Sequence, residues 1–229
     1  LSNKNRAVEV YTGAYASGKS ECSINRALQY VKDKKEITLV DLDTVEPAYT
    51  LRPLVGELGG LGLKVIAQTN YFGLGEAGSY VTGEQLNCLK REGNIIIDVG
   101  YGATGLDTLD IIIGIEDEEH LKIFLVINTS KFETRDVESI LEYIDFSSGL
   151  NKKPWKKFSG LISNTHLSDE TTVEDIKRGY EILKEVSHQT GIPIKAIGAD
   201  ERFKKDFPEA EYNSIPMWFY HRYMPRAFW

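Results

Sequence analysis

The 229-residue chain is poor in cysteine, has no long apolar run and carries no excess of basic residues. Each shortage excludes something. Its two cysteines, Cys22 and Cys88, stand far apart and in neither a C-x-x-C nor a C-x-C arrangement. A disulfide scaffold is therefore not expected, and each is read as a small buried thiol. No stretch reaches the roughly 18 apolar residues of a membrane-spanning helix. The opening residues LSNKNR lack the charged-then-apolar layout of a secretory signal, so a cytoplasmic protein is expected. With 27 Lys and Arg against 34 Asp and Glu, the formal charge is −7. Whole-surface attraction to nucleic acid is disfavoured, because it rests on clustered cations neutralising phosphates. Repeats, low-complexity tracts and composition breaks are also missing. Residues 1–229 are read as one domain, ending in an aromatic-rich tail at about 212–229.

What is present is an alternation. Apolar runs at Val8–Thr12, Ile37–Val40, Leu63–Ile66, Ile95–Val99, Ile123–Ile127, Gly160–Ser163 and Ile194–Ile197 read as buried strands. Helical spacing lies between most of them. Ile24, Ala27, Leu28 and Val31 recur at i, i+3, i+4 and i+7, as do Val137, Ile140, Leu141 and Ile144. Thr171-Thr172-Val173-Glu174 resembles a capping box opening a helix that runs to about Gln189. The pattern predicts an α/β fold with a doubly wound, mostly parallel sheet flanked by helices. Two stretches resist assignment: the glycine-rich Gly56–Gly83, and Leu106–Ile115, which is expected to be helical.

The first strand leads into Gly13-Ala14-Tyr15-Ala16-Ser17-Gly18-Lys19-Ser20, which fits G-x-x-x-x-G-K-[ST]. Glycines let the backbone curl so that successive N–H groups face an anion, and the N-terminus of the following helix adds its dipole. In this phosphate-binding loop Lys19 is expected to reach the β- and γ-phosphates and Ser20 to hold Mg²⁺. The strand before and the helical pattern after it supply the context that the motif requires.

Ligands of parallel α/β sheets sit beyond the carboxyl ends of the strands. There the second strand supplies Asp41 and Asp43, and the fourth supplies Asp98, followed by Gly100 and Gly102. Phosphate-bound Mg²⁺ wants hard oxygen ligands, often through water. Asp98, after Asn94-Ile95-Ile96-Ile97, is read as the Walker-B-like aspartate. One of Asp41 and Asp43 is expected to orient Mg²⁺-bound or attacking water, with Asp43 also a metal candidate. Gly100 or Gly102 would bring a backbone N–H to the γ-phosphate.

The segments GAYASGKSE, VDLDTVEPAYTLR, NIIIDVGYG and GLISNTHLSDETT together resemble the SIMIBI class of P-loop nucleotidases, which contains the MinD and ParA ATPases. The resemblance runs from Val8 to about Asp200 and is nearest a bacterial CobQ/CobB/MinD/ParA nucleotide-binding branch. It implies a triphosphate on Gly13 to Ser20, with Glu21 next in the matched run. It also implies Asp41 and Asp43 at the first switch, Asp98 at Walker B, and Asn164 on the adenine edge. An amide offers both donor and acceptor, which suits adenine. Gly198-Ala199-Asp200 would lie near the base or ribose. MinD and ParA carry a lysine after the first loop glycine where this chain has Ala14, so that trans-acting lysine is absent. Arg52, Lys131 and Arg135 are alternative cations, each more often a solvated side chain. Guanine-specific [NT]-K-x-D is missing from Asn128-Thr129-Ser130-Lys131 and from Asn151-Lys152-Lys153-Pro154, which favours ATP over GTP.

The expected activity is a slow Mg-ATP hydrolysis, to ADP and phosphate, that switches a protein partner, with homodimerisation left open. Two alternatives stand. One is ATP-dependent ligation or phosphorylation of a metabolite, in the manner of dethiobiotin synthetase or cobyrinate amidase, with an acceptor pocket roofed by Gly56–Gly83. The other is a nucleotide-binding module with little turnover. Lysines 152, 153, 156 and 157 around Trp155 are read as a solvated loop over a packed ring. Met217–Trp229, rich in Trp, Phe and Tyr but broken by Pro225, is expected to pack on its own domain or a second subunit rather than on a membrane.

Overall fold

Seven short β-branched and aliphatic runs become seven strands, and the tail supplies two more. The computed structural model describes residues 6–44, 50–68, 81–148 and 152–226. In chain order the elements are β1 (Val8–Gly13), α1 (Lys19–Lys32), β2 (Ile37–Leu42), α2 (Val55–Gly60), β3 (Lys64–Ile66), α3 (Gly83–Leu86), β4 (Asn94–Val99), α4 (Gly102–Asp107), β5 (Leu121–Ile127), α5 (Val137–Ser147), β6 (Phe158–Ser163), α6 (Val173–Thr190), β7 (Ile194–Asp200), β8 (Glu211–Tyr212) and β9 (Ile215–Tyr220), several of them joined by 3₁₀ turns.

The sheet order is β3-β2-β4-β1-β5-β6-β7-β9-β8. Every neighbouring pair is parallel except β8 and β9. The chain leaves β1 towards β2 on one side and later returns to β5 on the other, so a crevice opens at the carboxyl end of β1. The central strands are apolar on both faces because helices cover both. Tyr11, Leu39 and Ile96 pack with Ile24 and Ala27 of α1. Val10, Val40 and Ile97 face Leu106 and Leu109 on the other side. Leu125 and Leu161 meet Ile140 of α5 and Leu183 of α6.

The structure departs from the sequence reading in several places. Leu106–Ile115 is not one helix: α4 stops at Asp107, and 3₁₀ turns follow at Thr108–Ile111 and Ile115–Asp117. Leu109, Ile112 and Ile115 are buried while Ile111 and Ile113 are exposed, because the chain between the two turns is extended at Ile112 and left-handed at Gly114 instead of continuing as a helix. The capping box of α6 forms one residue later than expected. Thr172 Oγ1 accepts from Asp175 N at 3.2 Å, and Asp175 Oδ2 accepts from Thr172 N at 3.0 Å. Lys156 is not solvated: its ammonium is buried against Asp107 Oδ1 at 2.5 Å and Asp110 Oδ1 at 3.0 Å. Trp155 packs beside it, as expected.

The described part of the aromatic tail packs on its own chain, as expected, but it does so as a strand that the sequence reading did not place. Ile215–Tyr220 is strand β9, in register with β7 from Ile197↔Met217 to Asp200↔Tyr220. Pro216 lies near the start of this strand, where β9 meets only the two-residue β8 on that side, so its missing N–H is tolerated. Residues 69–80 of the Gly56–Gly83 stretch, with the acceptor-pocket roof assigned to them, lie outside the described residues, as do Phe228 and Trp229. Among the described residues no helix is long and apolar enough to cross a membrane.

Candidate functional site

β1 ends in the loop because Gly13 and Gly18 permit what other residues do not. A Cβ on Gly13 would stand 2.4 Å from Ser17 Oγ and 2.5 Å from the Val126 carbonyl. Gly18 adopts φ 87° and N-caps α1 with no side-chain cap, leaving the first helical N–H groups directed at the crevice. The loop is tethered from two sides. Ser17 N donates to Ala14 O at 3.1 Å, and Asn164 Nδ2, from the end of β6, donates to Ser17 O at 2.7 Å. Ser17 is buried, with no protein partner for its hydroxyl. Ala14 packs among Leu125, Ile127 and Ile140, so a lysine at this position would have to leave the core. Tyr15 is half exposed and meets Tyr101 edge-on.

Three aspartates come together beneath Lys19 and Ser20. Asp41 and Asp98 are register partners on adjacent strands, so both side chains leave the same face. Ser20 lies close enough to Asp98 to help hold its carboxyl down. Asp98 Oδ1 is buried with no hydrogen-bond partner among the described residues. Burial pushes its carboxyl up to about 8; Lys19 and Ser20 oppose that shift, while Asp41 and Asp43 add to it. Lys19 Nζ lies 3.5 Å from Asp43 Oδ2.

The two aspartates of the second strand separate into different environments. Asp41 Oδ2 pairs with Arg52 Nε at 3.3 Å, and its Oδ1 accepts Asp43 N at 3.0 Å. Arg52 Nη2 also donates to Asp43 O at 2.8 Å, and Gln85 Nε2 to Asp41 O at 2.5 Å. Burial raises the Asp41 carboxyl to about 6, against the attraction of Arg52. Asp43 is therefore the member that meets Lys19, and Asp41 holds the backbone behind it. The expectation of a solvated Arg52 is corrected: only 4% of it is exposed. Arg135 is exposed, over Phe132 and beside Asp136, while Lys131 lines the cavity.

After β4 the chain turns sharply. Thr12 Oγ1 donates to Gly100 O at 3.4 Å, and a Cβ on Gly105 would collide with that carbonyl at 1.9 Å. Gly102 adopts φ 66° and gives its N–H to the Tyr143 hydroxyl at 3.1 Å, so α5 holds this loop.

From the loop a cavity of about 400 Å³ runs towards the ends of β6, β7 and β9. That volume suits a small ligand. Asn164 and Ala199 line it, and a Cβ on Gly198 would strike Asn164 Oδ1 at 2.4 Å. His166 is aligned by Asn128, whose Oδ1 accepts His166 N and whose Nδ2 donates to His166 O, each at 3.1 Å. Desolvation lowers the His166 imidazole to about 4, so it is neutral at pH 7. Asp200 Oδ1 accepts Arg202 N at 2.9 Å and its Oδ2 pairs with Arg222 Nε at 3.0 Å. Sequence reading missed Gln85, Tyr143, His166 and Arg222. Only His166 lies in a matched segment, GLISNTHLSDETT, where nothing singled it out, and each reaches the site through the fold.

No protein-family model matches the chain. No curated protein matches it in sequence. Solved structures do match. The signal recognition particle receptor FtsY from Elizabethkingia anophelis aligns at 19% identity and TM-score 0.59, over 87% of this chain and 60% of that one. The same receptor in complex with GDP gives 16%, 0.58, 86% and 58%. Cell division protein FtsY from Thermotoga maritima gives 16%, 0.52, 86% and 63%. The chain spans about 60% of the length of these proteins. At such identity the likeness is one of fold, so the narrower MinD and ParA resemblance rests on motifs alone. The architecture is a doubly wound, mostly parallel sheet flanked by helices, a fold shared with these FtsY structures.

Proposed function

We propose that the chain is a Mg²⁺-dependent nucleotide switch that hydrolyses ATP slowly and regulates or assembles a partner protein in the cytoplasm. One observation carries this reading: a buried Asp98 oxygen with no hydrogen-bond partner among the described residues, on a carboxylate whose charge Lys19 and Ser20 both favour. A carboxylate desolvated in this way is costly unless a cation meets it. Ser20 and Asp98 would hold Mg²⁺, with Asp43 close by, and the ion would neutralise phosphate oxygens. Lys19 would bind the β- and γ-phosphates, Asp43 would orient attacking water, and Asp41 would act as a positioning residue through Arg52.

The base is read as adenine. The motif resemblance gives the base edge to Asn164, which lines the cavity while its Nδ2 is held by Ser17 O, and Asp200, an acid that could accept from guanine N–H groups, is already engaged by Arg202 and Arg222. The GDP bound to the E. anophelis receptor favours the rival choice, guanine. Titration with Mg-ATP and Mg-GTP decides between them. ATP should bind at least about tenfold tighter. Lys19→Ala should weaken nucleotide binding by about a hundredfold, since it removes charge-assisted contacts to phosphate. Unchanged binding in that variant would sink the reading. Product analysis separates the switch from metabolite ligation or phosphorylation, which would yield an acceptor adduct instead of only ADP and phosphate. Hydrolysis abolished in Asp98→Asn would exclude a module without turnover.

A further inference from the structure

The segment following β9 passes over the first turns of α1, immediately beyond the phosphate loop. Glu21 and Asn25 lie one helical turn apart, so their side chains share a face. Both grip main chain of that segment. Glu21 Oε2 accepts Tyr223 N at 3.0 Å and its Oε1 accepts Met224 N at 2.7 Å. Asn25 forms a reciprocal pair with His221, donating from Nδ2 to its carbonyl at 2.9 Å and accepting its N–H at Oδ1 at 3.0 Å. The side chains then reach outward to the loops after β6 and β7. Arg222 pairs with Asp169 and Asp200, and His221 Nδ1 lies 2.8 Å from Glu201 Oε1. Arg222, Met224 and Pro225 line the same cavity as Lys19, Ser20 and Asn164.

We infer that residues 221–225 form the wall of a nucleoside subsite, latched by Glu21 and Asn25 to the helix that begins at the phosphate loop. This rests on the nucleotide reading above and deepens it. Met224 and Pro225 offer apolar surface to a base, and Arg222 offers a guanidinium held in place by two carboxylates. The phosphate loop needs none of these residues to bind phosphate. The strap therefore adds affinity for the nucleoside part of a ligand and leaves the affinity for its phosphates alone.

The test compares Mg-ATP with Mg-tripolyphosphate, which carries the phosphates without a nucleoside, by calorimetry on the full chain. The readout is the ratio of the two affinities. In wild type, ATP should bind tighter. In Asn25→Ala combined with Arg222→Ala the ratio should fall by about tenfold, with tripolyphosphate binding retained, because two backbone contacts and one guanidinium are lost. Asn25→Ala alone should lower it by about threefold by the same reasoning. A ratio that keeps its wild-type value in both variants, whether both affinities fall together or neither moves, overturns the inference. Wild-type protein that binds tripolyphosphate as tightly as ATP overturns it too, while leaving the phosphate loop standing. Protein that binds neither ligand ends both readings.

Discussion

Two arginine–aspartate pairs flank the site, one behind the loop that follows β1 and one at the wall made by the tail, and they differ in burial. At the first, the proposed phosphate end, the Arg52 and Asp41 side chains are 3% and 0% exposed. At the second, the proposed base end, Arg222 and Asp169 are 36% and 79% exposed. The same chemistry does different work in the two places. A buried pair is a commitment, because removal of either member strands the other charge in a poor solvent. An exposed pair is a loose tether that water and salt can replace. The phosphate end is thus built as a fixed cradle. The base end is assembled on the surface from three distant segments.

Arg52→Ala should produce the largest loss of stability. It would leave the Asp41 carboxylate buried and uncompensated, at a cost of about 3–5 kcal/mol. Urea denaturation at pH 8, where Asp41 would be ionised, reads this as a lower midpoint with an unchanged slope. Adding Asp41→Asn to that variant should recover part of the loss, since the stranded charge is gone. A cost below about 1 kcal/mol would mean that the pair behaves like one on the surface, and the contrast between the two ends would collapse.

Asp98→Asn should have the opposite sign. In protein free of metal and nucleotide it removes a desolvated carboxyl with an unpaired oxygen, a gain of about 1–3 kcal/mol. The folded-state pKa is raised to about 8, above its unfolded value. The contribution of Asp98 is therefore full in acid and is lost as pH rises through about 8. The melting temperature of the variant should match the parent near the unfolded carboxyl range and exceed it increasingly towards pH 8. Asp41 titrates in the same sense in both proteins, so the part of its effect that does not depend on the Asp98 charge cancels in the difference. A gap that is constant with pH would show that Asp98 is not the titrating group.

The contrast also explains what could be read from sequence. The proposed phosphate cradle uses contiguous backbone, so Gly13 to Ser20 matches its motif in eight letters, and strand periodicity places Asp41, Asp43 and Asp98 at neighbouring strand ends. Sequence could not separate Asp41 from Asp43, because their difference is made by Arg52, eleven residues beyond Asp41 and outside any repeat. It also could not show that Met217–Tyr220 joins the sheet. The pairing with β7 is non-local, and the aromatic run carries no helical stripe to announce a packed face. Glu21 reads as the end of the nucleotide-binding run and Asn25 carries no signal of its own, so neither announces its hold on the tail. Their partners are backbone groups about 200 residues away, and backbone leaves no letter in a sequence.

Asp169→Ala should have the smallest effect and should sharpen the contrast. Arg222 would keep Asp200 at 3.0 Å. The loop carrying Asp169 would keep its other anchor, since Arg202 Nη2 donates to the carbonyls of Asp169 and Thr171 at 2.9 Å each and of Ser168 at 3.3 Å. Because its carboxylate is mostly in water, its loss should cost less than about 1 kcal/mol and should matter less still in added salt. Urea midpoints at low and high salt read both effects. A loss comparable to that of Arg52→Ala would make the base end a second rigid cradle. A small, salt-sensitive loss would mean that the wall at residues 221–225 is held by several replaceable links, with the latch on α1 as the firmest of them.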